Sequence, residues 1–223
     1  MGQIRKDLLV PGYQLFSIRS FTLLELLIAL SIILVIIVVV SLILKPQQIL
    51  QNSRDTQRIT ELANLKRAFG IAVGENPLIV AGSSSVVYLS LPDNSSSCAG
   101  WTAQLPTLPP GWLYNCVPAS TYKNGNGTGW LPINFSSITA LNMDSLTVDP
   151  NNQPPYYYTY VTANSNQTGG NFELTAAMES QKNRGRGTLS GQDGGTNEFV
   201  YEIGDNLQLT PVTVEARATS TNP

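Results

Sequence analysis

The sequence predicts an α+β fold. A long N-terminal helix over about residues 21–73 crosses a membrane with its first half and packs with its second on a small head built around an antiparallel β-meander. Three patterns carry this expectation. They are an apolar run from Phe21 to Leu44, an amphipathic stretch after Pro46, and short period-two segments between turn-rich linkers in residues 75–223.

Residues 1–20 place Arg5, Lys6 and Arg19 around short apolar patches, and Pro11-Gly12 breaks any long helix there, so the stretch reads as a basic leader. The run 21–44 holds one charge, Glu25, and as a helix reaches roughly 36 Å, enough for a hydrocarbon core of about 30 Å. Segment 21–45 is therefore expected to span a membrane. The basic residues before it place the N-terminus inside and the bulk of the chain outside, with Lys45 as a single opposing charge. A cleavable signal peptide fits less well, because the run is too long for its apolar region and Lys45-Pro46-Gln47-Gln48 is no small-residue cleavage site.

Between residues 46 and 74, Ile59, Leu62, Leu65, Phe69, Ala72 and Val73 fall within about 140° of a helical wheel, with Arg58 and Lys66 inside or at the edge of that stripe. Gly74 and Pro77 supply stop signals, and Pro46 is a candidate bend. In the head, "YYYTYV" sets Tyr156, Tyr158 and Tyr160 against Tyr157, Thr159 and Val161. "NFELTAAME" sets Phe172, Leu174, Ala176 and Met178 against Glu173, Thr175 and Glu179, and "EFVYEI" sets Phe199, Tyr201 and Ile203 against Val200 and Glu202. Each pattern implies a strand with one apolar and one wet face, and "VVYLSL" at 86–91 implies an edge strand.

Composition bounds the function. The chain has 223 residues, 13% of them charged, and a net charge of −2; residues 1–20 hold three basic side chains and one acidic, so the remainder is mildly acidic and ill suited to nucleic acid. With no histidine, Ser-His-Asp and Cys-His nucleophiles and histidine metal cages are excluded, and neither an enzyme nor a cofactor is expected. Cys98 and Cys116, the only cysteines, lie on the expected outer side and are expected to form a disulfide that staples the Trp101–Trp112 loop.

Glu25 is the anomaly, because a carboxylate in a bilayer is unfavourable without a partner. "FTLLELLIALSIILVIIVVV", entered from a short basic leader, resembles the N-terminal segment of type IV pilins and of the pseudopilins of type II secretion. The order of the three head segments is also similar to the C-terminal halves of small pilin-like proteins. The resemblance implies that a prepilin peptidase cuts between Ser20 and Phe21, that the new amino group of Phe21 is N-methylated, and that Glu25 serves assembly by pairing with that ammonium on a neighbouring subunit. It also implies an assembly ATPase, a platform protein and other pilins as partners. Two departures stand out: Ser20 replaces the family's usual glycine, and residues 26–44 lack an internal glycine or proline.

The expected protein is thus a structural pilin, major or minor, in a bacterial cytoplasmic membrane with N-in/C-out orientation, passing into an extracytoplasmic homo-oligomeric filament. Its alternatives are a type II secretion pseudopilin and an unprocessed single-span anchor for an extracellular binding domain. Weaker features read as ordinary surface. Lys182, Arg184 and Arg186 form a solvated turn, Asp193 and Asp205 belong to turns and not a calcium loop, and the N-x-S/T triplets at Asn94, Asn126, Asn134 and Asn166 arise by composition.

Overall fold

Pro46 divides the expected long helix in two. The computed structural model describes residues 21–77, 79–141, 143–163 and 171–211, and within them α1 (Leu23–Leu44) and α2 (Pro46–Glu75) replace one continuous helix. A proline ring disfavours the α conformation in the residue before it, and Lys45 adopts φ 42° and ψ 69°, a left-handed cap that ends α1. Pro46 then opens α2 at a position where a missing N–H removes no intrahelical bond. The leader, with Ser20 in it, lies outside the described residues.

The chain divides into two units at Pro46. In the first, Thr22 caps α1 by accepting the Glu25 N–H on its hydroxyl, and Ser31 and Ser41 turn their hydroxyls back onto the Ile28 and Ile37 carbonyls. Leu23–Ser41 is long and apolar enough to cross a membrane, and none of it is buried against the rest of the chain.

The second unit is the head. Its five strands, β1 (Val86–Pro92), β2 (Leu113–Val117), β3 (Tyr158–Thr162), β4 (Phe172–Ala177) and β5 (Val200–Gly204), lie in the order β2-β1-β3-β4-β5. The three pairings from β1 through β3 and β4 to β5 are antiparallel, as the alternating segments predict, but β2 runs parallel to β1. The sheet is therefore mixed and not a pure meander, and β1 is interior and not an edge. A parallel neighbour requires a crossover of a dozen residues or more, and residues 93–112 supply it.

One face of the sheet receives α2. Leu62, Leu65, Ala68, Phe69 and Ala72 pack on Tyr158, Tyr160, Phe172, Leu174 and Ala176. Phe69 stands at the centre, stacked on Phe172 at 4.2 Å and Tyr160 at 5.2 Å, with Phe135 edge-on at 5.6 Å. Trp130, Leu131, Ile133 and Phe135, from the long connection between β2 and β3, complete this core.

The other face, expected to be wet, is covered. Val87, Leu89, Leu91, Tyr157 and Val161 form a second core beneath Trp101, Leu105, Leu108 and Trp112 of the crossover and Leu209 after β5. All described positions of β3 and β4 are buried, Glu173 and Thr175 among them, and Glu202 of β5 is buried too, whereas Tyr201 and Ile203 on its expected apolar side are only half-buried. The crossover and the chain after β5 close a face that alternation alone would leave to water.

Cys98 and Cys116 form the expected disulfide, with a Cα–Cα distance of 5.2 Å, tying the crossover to β2 beneath the surface. Replacing both with alanine is expected to lower stability by about 3 kcal/mol in the chain-entropy account. Guanidinium unfolding of the full-length protein in detergent, followed by tryptophan fluorescence, checks this; an unshifted midpoint would show that the crossover holds without its staple.

Candidate functional site

Two places depart from ordinary packing: the exposed start of α1 and a buried ionic knot at the start of α2. Phe21 and Glu25 are both exposed; Phe21 precedes the Thr22 cap and Glu25 lies in the first turn of α1. Glu25 is the only charged side chain in the apolar helix, and it forms no ion pair among the described residues.

The knot centres on Arg58, which is 0% exposed. Its Nε and Nη2 donate to the two oxygens of Asp149 at 2.7 and 2.9 Å, Nη1 donates to Asp55 Oδ1 at 3.0 Å, and Nη2 lies 2.6 Å from Glu179 Oε1. Arg54 holds Glu179 from the outer side through Nε and Nη2. The Tyr156 ring lies 5.0 Å from the Arg58 guanidinium carbon. Asp55 also accepts the backbone N–H groups of Glu179 and Ser180 at 2.9 Å, the Ser180 hydroxyl at 2.6 Å and the Asn183 amide at 3.2 Å.

A buried guanidinium is tolerated only when its donors are matched, and here three carboxylates from three parts of the chain match them. Burial works against the charges, but the hydrogen bonds to Asp149 and Glu179 win, so the Arg58 pKa is raised. Burial would likewise lift Glu179, yet the hydrogen bonds from Arg54 and Arg58 hold its carboxyl below the usual range. The knot fastens α2 to the end of β4 and to the turn around Asp149. Arg58 and Asp55 are both sealed from solvent, while Arg54 reaches it at the outer side.

Arg58 breaks the apolar stripe in the sequence, and the structure turns that misfit into the site. Six of the seven buried positions of α2, Asp55, Arg58, Leu62, Leu65, Phe69 and Ala72, recur at alternating three- and four-residue steps within about 100° of the wheel, and Ala68 flanks them. Counting back from Leu62 at that spacing lands on Arg58 and then Asp55, and that continuation of the stripe is the signal the sequence holds. Asp149 and Glu179 have no comparable local signature. Lys66 lies at the stripe's edge, where its ammonium donates to the Gly204 carbonyl at 2.8 Å.

The remaining singled-out residues are not brought together. Arg184 lies over the Phe199 ring at 5.6 Å, while Lys182 and Arg186 are exposed. Asp193 accepts the N–H groups of Gly195 and Glu202 in a turn, and Asp205 is exposed. Asn94, Asn126 and Asn134 are exposed, the last two bonding within their own turns, and Asn166 lies outside the described residues. Tyr157, Tyr158 and Tyr160 are core, not a stacking surface, and Tyr156 is the knot's aromatic wall. Among the described residues no group of three or more Cys, Asp or Glu side chains is arranged to hold a metal ion. No family model, curated protein or solved structure matches this chain.

Two outcomes test the knot. Asp149→Ala strips Arg58 of its bidentate partner and is expected to cost about 3–5 kcal/mol in chemical denaturation. Because the folded pKa of Glu179 lies below its unfolded value, its stabilisation is present above the ordinary carboxyl range, about 4.3, and is lost as pH falls through the folded value. Melting curves at decreasing pH should therefore fall more steeply for the wild type than for Glu179→Gln.

Proposed function

We propose that the chain is a non-enzymatic structural subunit of a type IV pilus-like filament, processed between Ser20 and Phe21 and assembled through its N-terminal helix. One observation carries the reading: Leu23–Ser41 of α1 is apolar and uncovered, and the helix's one charge, Glu25, is a carboxylate in its first turn, four residues after Phe21. Such a helix is stable only in lipid or among other apolar helices, and its acid needs a cation that the described chain does not supply. Cleavage before Phe21 creates an ammonium, and in a staggered bundle of parallel helices that ammonium on one subunit meets Glu25 of the next, so two unfavourable charges are neutralised together. The precursor waits in the cytoplasmic membrane with its head outside. A prepilin peptidase, an assembly ATPase and a platform protein act on it, and the head is what the filament displays. A type II secretion pseudopilus would use the same pairing in a filament that stops within the envelope.

Glu25→Ala is expected to insert in the membrane at the wild-type level, yet to give no sheared filament material on immunoblot. Normal filaments from this variant would sink the pairing. The mass of the N-terminal peptide from native membranes should correspond to an N-methylated Phe21; an intact leader would instead mark an anchored single-span protein.

A further inference from the structure

Glu173 and Glu202 are acids that neither the ionic knot nor the filament reading employs. Both were expected on a wet face, yet Glu173 is 0% and Glu202 2% exposed. The β4/β5 register pairs Glu173 with Gly204 and Thr175 with Glu202, so the two acids are diagonal neighbours on the covered face. One oxygen of Glu173, Oε2, accepts the N–H groups of Leu209 and Thr210, each at 2.8 Å. The other, Oε1, is buried and accepts no hydrogen bond among the described residues. Glu202 Oε2 accepts the Asn197 N–H at 2.8 Å, and its Oε1 is reached by the Thr196 hydroxyl at 3.4 Å.

Among the described residues no cation compensates the pair. Asp193, on the turn before β5, adds a third carboxylate through its bond to the Glu202 N–H. Lys66 of α2 lines the same open cleft of about 360 Å³, with Asp193, Glu202 and Leu207, but its ammonium donates to the Gly204 carbonyl. Tyr201 also lines that cleft, and Asp205, where the chain leaves β5, is exposed. Neighbouring carboxylates shielded from water are not both ionised, and a proton between them supplies the donor that Glu173 Oε1 lacks.

We propose that Glu173 and Glu202 share one proton, with the Glu202 O–H donating to Glu173 Oε1, and that this proton clasps residues 205–211 as a strap over the outer face of the sheet. The strap is held at two points, by the Asp205 N–H on the Phe172 carbonyl at 3.0 Å and by the two amides on Glu173, and it lays Leu209 on the outer core. Losing the proton sets a second negative charge beside the carboxylate that grips the strap. Burial first, and the neighbouring Glu173 next, push the Glu202 carboxyl up to about 8 against the opposing bond from the Asn197 N–H; Asp193 is raised by burial as well. The folded protein thus keeps a proton that the unfolded chain releases near pH 4.3, so this contribution to stability declines as pH rises from about 4.3 and is gone above about 8. The strap is held most firmly in acid and is loosened progressively as pH rises toward about 8.

The test is a pH titration of the full-length protein in detergent, with glutamate labelled at Cδ and amide exchange read at Leu209 and Thr210 relative to intrinsic rates. One glutamate is expected to titrate in the neutral-to-alkaline range; from the ordinary carboxyl range up to that value the protection of the two amides should fall by up to about tenfold per pH unit, as release of one proton dictates, and level off above it. Glu202→Gln keeps a donor that cannot ionise; it should lose that titration and hold the strap closed throughout. The proposal is overturned if no wild-type glutamate titrates above the ordinary carboxyl range, a result that needs no variant to fold. It is equally overturned if a divalent-cation chelator releases the strap at neutral pH, since a metal and not a proton would then bridge the two acids.

Discussion

A guanidinium sealed from water dictates the geometry of the head. Arg58 must find carboxylates for its donors, and they come from α2 itself, from the turn at Asp149 and from the end of β4. Unlike the apolar contacts further along α2, these bonds are directional, so they fix the rotation and the axial position of the helix on the sheet. With Arg58 set, the alternating three- and four-residue spacing carries Leu62, Leu65, Phe69 and Ala72 onto the strands in turn. Apolar packing supplies most of the attraction and the knot supplies its register, a division of labour suited to a small core in which many apolar side chains could slide past one another.

The same requirement of satisfying polar groups organises the far side of the sheet. The crossover that makes β2 parallel also roofs the outer core, and the disulfide holds that roof to β2. The backbone at the sheet margins is occupied as well: the Cys116 N–H of β2 donates to the Ser96 carbonyl, and the Glu202 N–H of β5 to Asp193. Edge strands closed in this way offer little template for strand addition. The large uncovered apolar surface of the described chain is α1.

How far the fold could be read from the sequence follows from where the determinants sit. The apolar run, the α2 stripe and strands β3, β4 and β5 each have a local period, and each lies within a few residues of its expected place. Strand β2 at Leu113–Val117 has no such alternation, and its direction depends on the path of a loop. The Glu173 and Glu202 side chains alternate with apolar neighbours as solvent-facing residues do; what buries them is chain remote in sequence, which no local pattern records. Arg58 was legible as a misfit in the stripe. Asp149 and Glu179 were not, because a partner some ninety or more residues away leaves no trace in periodicity.

Three glutamates, two in the head and one on the apolar α1, show the options open to an acid away from free water. Glu179 is matched by two guanidinium groups and stays ionised. Glu202 has no cation beside it among the described residues, and a proton is the smallest remaining means of removing its charge. Glu25 differs from both because the described chain offers it neither a cation nor a buried neighbour, and α1 beyond it is apolar throughout. A carboxylate so placed is costly to keep in lipid unless something outside the chain neutralises it. The first two acids stabilise a fold already closed on itself, whereas on the filament proposal the third finds its partner in a neighbouring subunit. On that proposal the head keeps its polar matching internal, and assembly draws on the one acid at the start of α1.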